Sequence, residues 1–81
     1  MRLLEEITYD LDFTKPKVVV CENLVILENV SGIVMLSETS ITVSSGKRYT
    51  TIEGADFNIK EIYEGRLLIE GKIQRVEFLQ P

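Results

Sequence analysis

The sequence contains no histidine, no tryptophan and only one cysteine, Cys21, among its 81 residues. Without histidine the chain cannot supply a Ser–His or Cys–His nucleophile pair, or a histidine general base. A single cysteine allows neither a disulfide within the chain nor a zinc site built from several cysteines. We therefore expect a protein that is not an enzyme, with no catalytic residue, no metal site and no cofactor.

The single cysteine also bears on location. Small secreted domains commonly rely on disulfides to stabilise a core that is too small by itself, and this chain can form none alone. We therefore expect a cytoplasmic protein in which Cys21 is buried as a small apolar side chain after residues 18–20. Apolar runs reach only four residues. A bilayer needs roughly 20, so no transmembrane segment is predicted.

Acidic residues outnumber basic ones by 13 to 9, which gives a net charge of −4. The basic residues are scattered along the chain, and only Lys47 and Arg48 are adjacent. Nucleic-acid binding usually requires clustered lysine and arginine that neutralise phosphates, so no nucleic-acid partner is predicted. The acidic pairs, of which Asp10 with Asp12 is one, are typical of solvated strand faces and predict no metal site.

Valine, isoleucine and threonine occur in short runs separated by glycine or by serine and asparagine, a pattern typical of β-strands. The runs predict about seven short strands and no substantial helix. We expect an all-β fold in one domain over residues 1–81: a small antiparallel β-sandwich of immunoglobulin-like or barrel-like form. Residues 7–79 would form the sandwich core, with a strand at 7–13, and residues 1–6 are a candidate flexible segment.

Glycines punctuate the strand pattern at turns and corners. Gly46 and Gly65 lie between apolar runs and predict hairpin turns, where glycine supplies a positive φ angle. The tripeptide Ile-Glu-Gly occurs at residues 52–54 and again at residues 69–71. We expect each of these two glycines to mark a corner where a strand bends or where another backbone comes close.

The last apolar run changes face partway along. Ile69 and Ile73 share one face of a strand, whereas Val76 and Phe78 fall on the other. A regular strand would leave one of these pairs in solvent. A β-bulge near residues 74–75 would bring both pairs to the core, so we predict a bulge there and a core position for Phe78.

Two runs of four apolar residues, at 24–27 and 33–36, would place large side chains on both faces of a strand. Such a run is either a central strand beneath the N-terminal segment or a homo-oligomeric surface. An unprotected apolar strand can also accept a strand from a partner protein. We select the first run as the candidate interaction surface, which consists of Leu24, Val25, Ile26 and Leu27.

Several segments resemble the YabP/YqfC family of sporulation proteins from endospore-forming Firmicutes. They are LVILENVSGI at 24–33, ITV at 41–43, IEG at 52–54, FNIKEI at 57–62 and LIEGKI at 68–73. The order Glu28-Asn29 and then Gly32-Ile33 is similar to the YqfC branch. The resemblance, which covers about residues 10–79, implies an all-β domain made in the mother cell during sporulation. It also implies protein partners in spore envelope or cortex assembly, and no enzymatic activity.

The residue pattern and the resemblance together predict a non-enzymatic, sporulation-associated protein-interaction module. The alternative is a small β-barrel that binds a ligand or a nucleic acid. A ligand site would need a cavity of at least about 300 Å³ with converging polar groups. A nucleic-acid site would need a local basic stripe despite the acidic average.

Overall fold

The computed structural model describes residues 15–80, and in this range every regular element is a β-strand. The strands are β1 (Lys17–Cys21), β2 (Leu24–Glu28), β3 (Gly32–Leu36), β4 (Ser40–Ser45), β5 (Arg48–Tyr63) and β6 (Arg66–Leu79). They form one open antiparallel sheet in the order β1-β2-β6-β5-β4-β3. The predicted all-β, antiparallel class is confirmed for the described residues, and the strand predicted at 7–13 lies outside them.

The predicted sandwich of about seven strands is not confirmed, because the strands are longer and join in one sheet. The apolar runs before and after Gly54 belong to a single strand, β5, and those before and after Gly71 belong to a single strand, β6. The glycines between the runs do not end the strands. The β5–β6 ladder continues across them, and its irregularities only shift the register.

The long β5–β6 hairpin has to bend back on itself because of how β2 connects to β3. β2 pairs with β6 near the hairpin turn, whereas β3 is joined through β4 to the other end of β5. About 13 residues of β5 separate these two ends, which is roughly 40 Å along a straight strand. The connection from Glu28 to Gly32 can span at most about 14 Å. A straight hairpin is therefore excluded.

Backbone hydrogen bonds join the two ends of the hairpin. The Val30 N–H donates to the Gly65 carbonyl in the β5–β6 turn over 2.8 Å, and the Ser31 N–H donates to the Ser44 carbonyl of β4 over 2.7 Å. The Gly46 N–H in the β4–β5 turn donates to Ser31 Oγ over 3.1 Å. Two adjacent residues thus contact both ends, so the corner between β2 and β3 closes the fold.

The bend lies at the two Ile-Glu-Gly glycines, where the two strands of the hairpin come close. A Cβ atom on Gly54 would lie 1.8 Å from the carbonyl oxygen of Lys72, and one on Gly71 would lie 2.7 Å from Cδ1 of Phe57. Gly71 has a φ angle of 154° and Asp56 one of 58°, values that L side chains rarely adopt. The predicted corners are therefore confirmed: close approach of the Lys72 backbone explains Gly54, and the positive φ angle together with the Phe57 ring explains Gly71.

A β-bulge occurs in β6 where the sequence predicts it. The register between β5 and β6 shifts by one residue, so that Gln74 has no partner in β5. Because of the extra residue, Ile73 and Val76 both pack against the core. Phe78 does not follow them: it is 58% exposed, so its predicted core position is wrong. Among the described strands, this end of β6 pairs only with β5, and nothing beyond it completes the face.

The core is small and takes side chains from both halves of the bent sheet. Its buried apolar residues are Val25, Leu27, Ile41, Val43, Ile52, Phe57, Leu67 and Ile69. Side chains of β2 and of the first half of β6 pack in one cluster with those of β4 and of the first half of β5. Each large aliphatic side chain contributes only about 1.5–3 kcal/mol on burial. The fold therefore depends on the bend that brings the two halves together.

Replacing Gly54 by alanine tests the bend. The added methyl group would collide with the β6 backbone, so we expect the free energy of unfolding to fall by about 3 kcal/mol or more. Gly32→Ala is the matched control, because its Cβ atom would meet only the Ser44 hydroxyl, at 3.2 Å. Chemical denaturation followed by far-UV circular dichroism measures both variants. Equal midpoints for the two would contradict the role given to the bend.

Candidate interaction edge

The structure corrects the surface predicted at Leu24, Val25, Ile26 and Leu27. Val25 and Leu27 are 0% and 1% exposed and belong to the core. Ile26 is half-buried, and only Leu24 is exposed. β2 is paired with β1 on one side and with β6 on the other. Neither side of β2 is free along these residues, so this run cannot accept a strand from a partner.

The exposed apolar strand is instead β3, which contains the second of the two apolar runs. Ile33, Val34, Met35 and Leu36 are 43%, 60%, 46% and 55% exposed. β3 is a terminal strand of the sheet, and within residues 15–80 it pairs with β4 alone. Its outer N–H and C=O groups are in position to pair with another strand. We call residues 32–36, with these backbone groups, the β3 edge.

A bulge at Val34 determines which side chains of β3 face the core. Ile33 pairs with Val43 and Leu36 pairs with Ile41, while Val34 has no partner in β4. Residues that lie directly opposite each other point to the same face of a sheet. Because Val43 and Ile41 are buried, Ile33 and Leu36 lie on the core side of the sheet. They stay partly exposed because no described strand lies beyond them.

Three other segments are also paired on one side only within the described part of the chain: β1 and the second halves of β5 and β6. Each carries charges, which oppose pairing with a further strand. β1 contains Lys17, the second half of β5 contains Lys60 and Glu61, and the second half of β6 contains Arg75 and Glu77. β3 is the one segment of the four with no charged residue. In β1 the single charged residue, Lys17, lies at the start of the strand and pairs with Glu28.

The end of the β3 edge that follows Leu36 is acidic. Glu38 lies in the connection to β4, and the Phe57 N–H donates to its carbonyl over 2.9 Å. This hydrogen bond places Asp56, the residue before Phe57, at the same end. Both acidic residues are exposed. Neither forms an ion pair within the described residues, so two carboxylates are available here for a partner.

The opposite end of the β3 edge is basic. Ser31, just before β3, accepts a hydrogen bond from the Gly46 N–H of the β4–β5 turn over 3.1 Å. Lys47 follows Gly46 directly in this turn, which places it beside the start of β3, and Arg48 begins β5, one strand further along the sheet. Lys47 is exposed and Arg48 is half-buried. The β3 edge therefore joins an acidic end to a basic end through an uncharged strand.

Several other basic side chains are neutralised by acids. Glu28 contacts Lys17 Nζ at 3.2 Å and Arg66 Nη2 at 3.1 Å. Arg75 contacts Glu77 at 2.8 Å. Cations held in this way are less available to phosphate groups, and the described residues form no basic stripe of the kind that nucleic-acid binding requires.

A surface depression of about 330 Å³ lies beside the β5–β6 turn. Its lining consists of Glu28, Asn29, Tyr63, Glu64, Gly65 and Arg66. Glu28 and Arg66 already form an ion pair with each other. The depression is wide and open to solvent, and its charged groups do not converge on an enclosed space as ligand sites require.

The groups that carry most protein chemistry do not form a cluster in the described range. Cys21 is exposed at the end of β1, so its predicted burial is wrong. The reason is that β1 is a terminal strand, of which only Val18 packs against the core. Residues 15–80 contain no group of three or more His, Cys, Asp and Glu that could hold a metal ion, and Asp10 and Asp12 lie outside this range. They also contain no helix that is long and apolar enough to span a membrane.

Two hydroxyl groups are buried without a hydrogen-bond partner among the described residues: Ser45 Oγ and Thr50 Oγ1. Both residues are at most 2% exposed, on the core side of β4 and β5. A buried hydroxyl that gains no hydrogen bond in the fold costs stability, because it has lost those it made to water.

Valine substitutions separate the unpaired hydroxyl of Thr50 from a paired one. Thr50→Val removes the unpaired hydroxyl and keeps the side-chain shape, so we expect a gain of about 1 kcal/mol in the free energy of unfolding. Thr51→Val breaks the 2.9 Å hydrogen bond to Thr42. We expect it to lose about 1 kcal/mol. Denaturation curves that change in the same direction for both variants would contradict this assignment.

Lysine substitutions distinguish the buried run from the exposed edge. Val25→Lys would bury an unpaired ammonium group. The free-energy cost of that burial exceeds the roughly 5–15 kcal/mol by which a domain is stabilised, so we expect loss of the β-sheet signal. Val34→Lys places its charge in solvent and should change the free energy of unfolding by less than about 0.5 kcal/mol. Circular dichroism and thermal unfolding report both. A folded Val25→Lys protein would contradict the assigned core.

No family model, curated protein or solved structure matches this chain. The resemblance of residues 24–33 and the later segments to the YabP/YqfC family therefore stays a prediction. The β3 edge is characterised by its own properties: an exposed apolar strand, one unpaired side, no charge along it and opposite charges at its ends. A terminal strand with these properties leaves its outer backbone groups open to pairing with a further strand.

Proposed function

We propose that this protein is a non-enzymatic interaction module that accepts the strand of a partner along the β3 edge. The observation that supports the proposal is an exposed, uncharged strand at the end of the sheet. In strand addition, main-chain hydrogen bonds supply affinity, and side chains on the added strand supply specificity. Both are available here, from the outer backbone of β3 and from the four apolar side chains at 33–36.

We propose that the bent sheet serves as a small sandwich-like scaffold for this edge. The supporting observation is that buried side chains of β2 and β4, from opposite halves of the sheet, belong to one cluster. The cluster anchors β4 through Ile41 and Val43, and β4 in turn holds β3 through the ladder. The edge is thus presented by a strand that is itself fixed in the core.

We further propose that the module acts in the mother cell of an endospore-forming bacterium, in spore envelope or cortex assembly. This part of the proposal rests on the resemblance of residues 24–33, 41–43, 52–54, 57–62 and 68–73 to the YabP/YqfC family, and on nothing else. A role in assembly is compatible with the absence of histidine, because strand addition uses backbone groups and needs no acid–base residue.

Genetic complementation tests the role in sporulation together with the role of the edge. In an endospore-forming bacterium that carries this gene, we expect its deletion to lower the number of heat-resistant spores. The wild-type gene should restore the number, and the Val34→Lys variant should not, because its charge on the outer strand opposes strand addition.

Ile62→Lys is the matched control for Val34→Lys. Ile62 is 62% exposed and lies in a segment that already carries Lys60 and Glu61. We expect this variant to restore spore numbers as the wild type does. An unchanged spore number after deletion would overturn the role in sporulation. Full complementation by Val34→Lys, at normal protein levels, would overturn the role of the β3 edge.

A further inference from the structure

We propose that the β3 edge pairs with the β3 edge of a second copy of this chain, antiparallel about a two-fold axis. This inference rests on the proposed role of the edge as the acceptor of a strand, and it names the partner. A two-fold axis makes the same surface serve both copies, so the edge has to be complementary to itself. Its side chains and its terminal charges can each be compared with that requirement.

The bulge at Val34 makes the apolar side chains of β3 self-complementary. It places Ile33 and Leu36 on the same face of the sheet, although they are three positions apart in the sequence. If the axis passes between Val34 and Met35, Ile33 of each copy lies directly opposite Leu36 of the second copy. Directly opposite side chains contact each other. Pairing would therefore extend the core side of the sheet across the axis with two identical Ile–Leu pairs.

The charges at the two ends of the edge favour the antiparallel arrangement. In the same register Ser31 of one copy lies opposite Glu38 of the second copy. Ser31 is hydrogen-bonded to Gly46, so Lys47 lies next to this position. Each acidic end thus meets a basic end, twice in the dimer, and a parallel arrangement would place like charges together. Complementary charges of this kind fix register and orientation more than they add affinity.

The length of the edge sets the expected strength of the dimer. β3 has five residues, which is about 17 Å of strand. Pairing over this length buries less surface than the roughly 1,200–2,000 Å² of stable complexes. We therefore expect a reversible dimer that forms at high protein concentration and dissociates on dilution.

Reversing the end charges tests both the partner and the register. Glu38→Lys and Lys47→Glu each place like charges against each other in a homodimer, so each variant alone should dimerise at least about tenfold more weakly than the wild type. An equimolar mixture contains opposite charges at both contacts and should dimerise about as well as the wild type. Sedimentation velocity of the full chain, over a hundredfold range of concentration, measures the dissociation constants.

Labelling one variant with ¹⁵N identifies the mixed dimer by native mass spectrometry. Glu61→Lys mixed with Lys60→Glu is the matched control, because both residues are exposed in the second half of β5, outside the β3 edge. Each of these variants should dimerise as the wild type does, alone and mixed. Circular dichroism confirms that all four variants fold.

Three results would overturn the inference: a wild-type chain that stays monomeric throughout, single variants that dimerise normally, or a mixture that dimerises no better than its components. None of these bears on the complementation result for Val34→Lys. If that variant fails to restore spores while the purified chain stays monomeric, the edge binds a different protein. If both experiments fail, the edge itself is misassigned.

Discussion

The close approach of Gly54 to the Lys72 backbone is the constraint on which the rest of the structure depends. A side chain at residue 54 would occupy the position of the Lys72 carbonyl oxygen. The hairpin of β5 and β6 could then not bend as it does, and the short link between β2 and β3 could not reach both of its ends. The core would also divide, since its buried side chains come from the two halves that the bend brings together. The whole fold thus depends on the absence of a Cβ atom at residue 54.

The same bend determines which strands remain half-paired. β2 pairs with only the first half of β6, and β4 pairs with only the first half of β5. The second half of each long strand therefore has a neighbouring strand on one side only within residues 15–80. A six-stranded sheet of this form therefore has more unpaired edge than its two terminal strands alone would give. Charged side chains lie along the second halves of β5 and β6, and β1 begins with one, Lys17. β3 has none, and this difference sets it apart as the surface that we propose for contact.

The features that the sequence predicts correctly are those that neighbouring residues decide. The turns at Gly46 and Gly65 and the bulge at Gln74 follow from alternation of side chains and from the φ angles open to glycine. The number of strands depends on whether a glycine bends a strand or ends it. Both cases occur in the same local sequence pattern, so the number is harder to predict. The burial predicted for Cys21 is wrong for a related reason, because a run of valines occurs in terminal strands as well as in central ones.

The candidate surface shows the same limit most clearly. The runs at 24–27 and 33–36 are equal in length and in apolar character, and each could be a central or a terminal strand. What separates them is pairing with β6, which begins at Arg66, at least 30 residues after the end of either run. The sequence therefore predicts that one such run lies on the surface, but the order of strands in the sheet decides that it is the second.

The composition of β3 is not explained by folding alone. Val34 has no partner in β4 and its side chain is 60% exposed, so a lysine there would protect the edge at almost no cost to the core. Lysine or glutamate occurs in comparable positions of β5 and β6, which shows that the sheet tolerates charge on its unpaired segments. An apolar edge lowers solubility and exposes the chain to aggregation, and a charged residue there would avoid both. The strand contact that we propose would offset that cost, because it would cover the same side chains and complete the same hydrogen bonds.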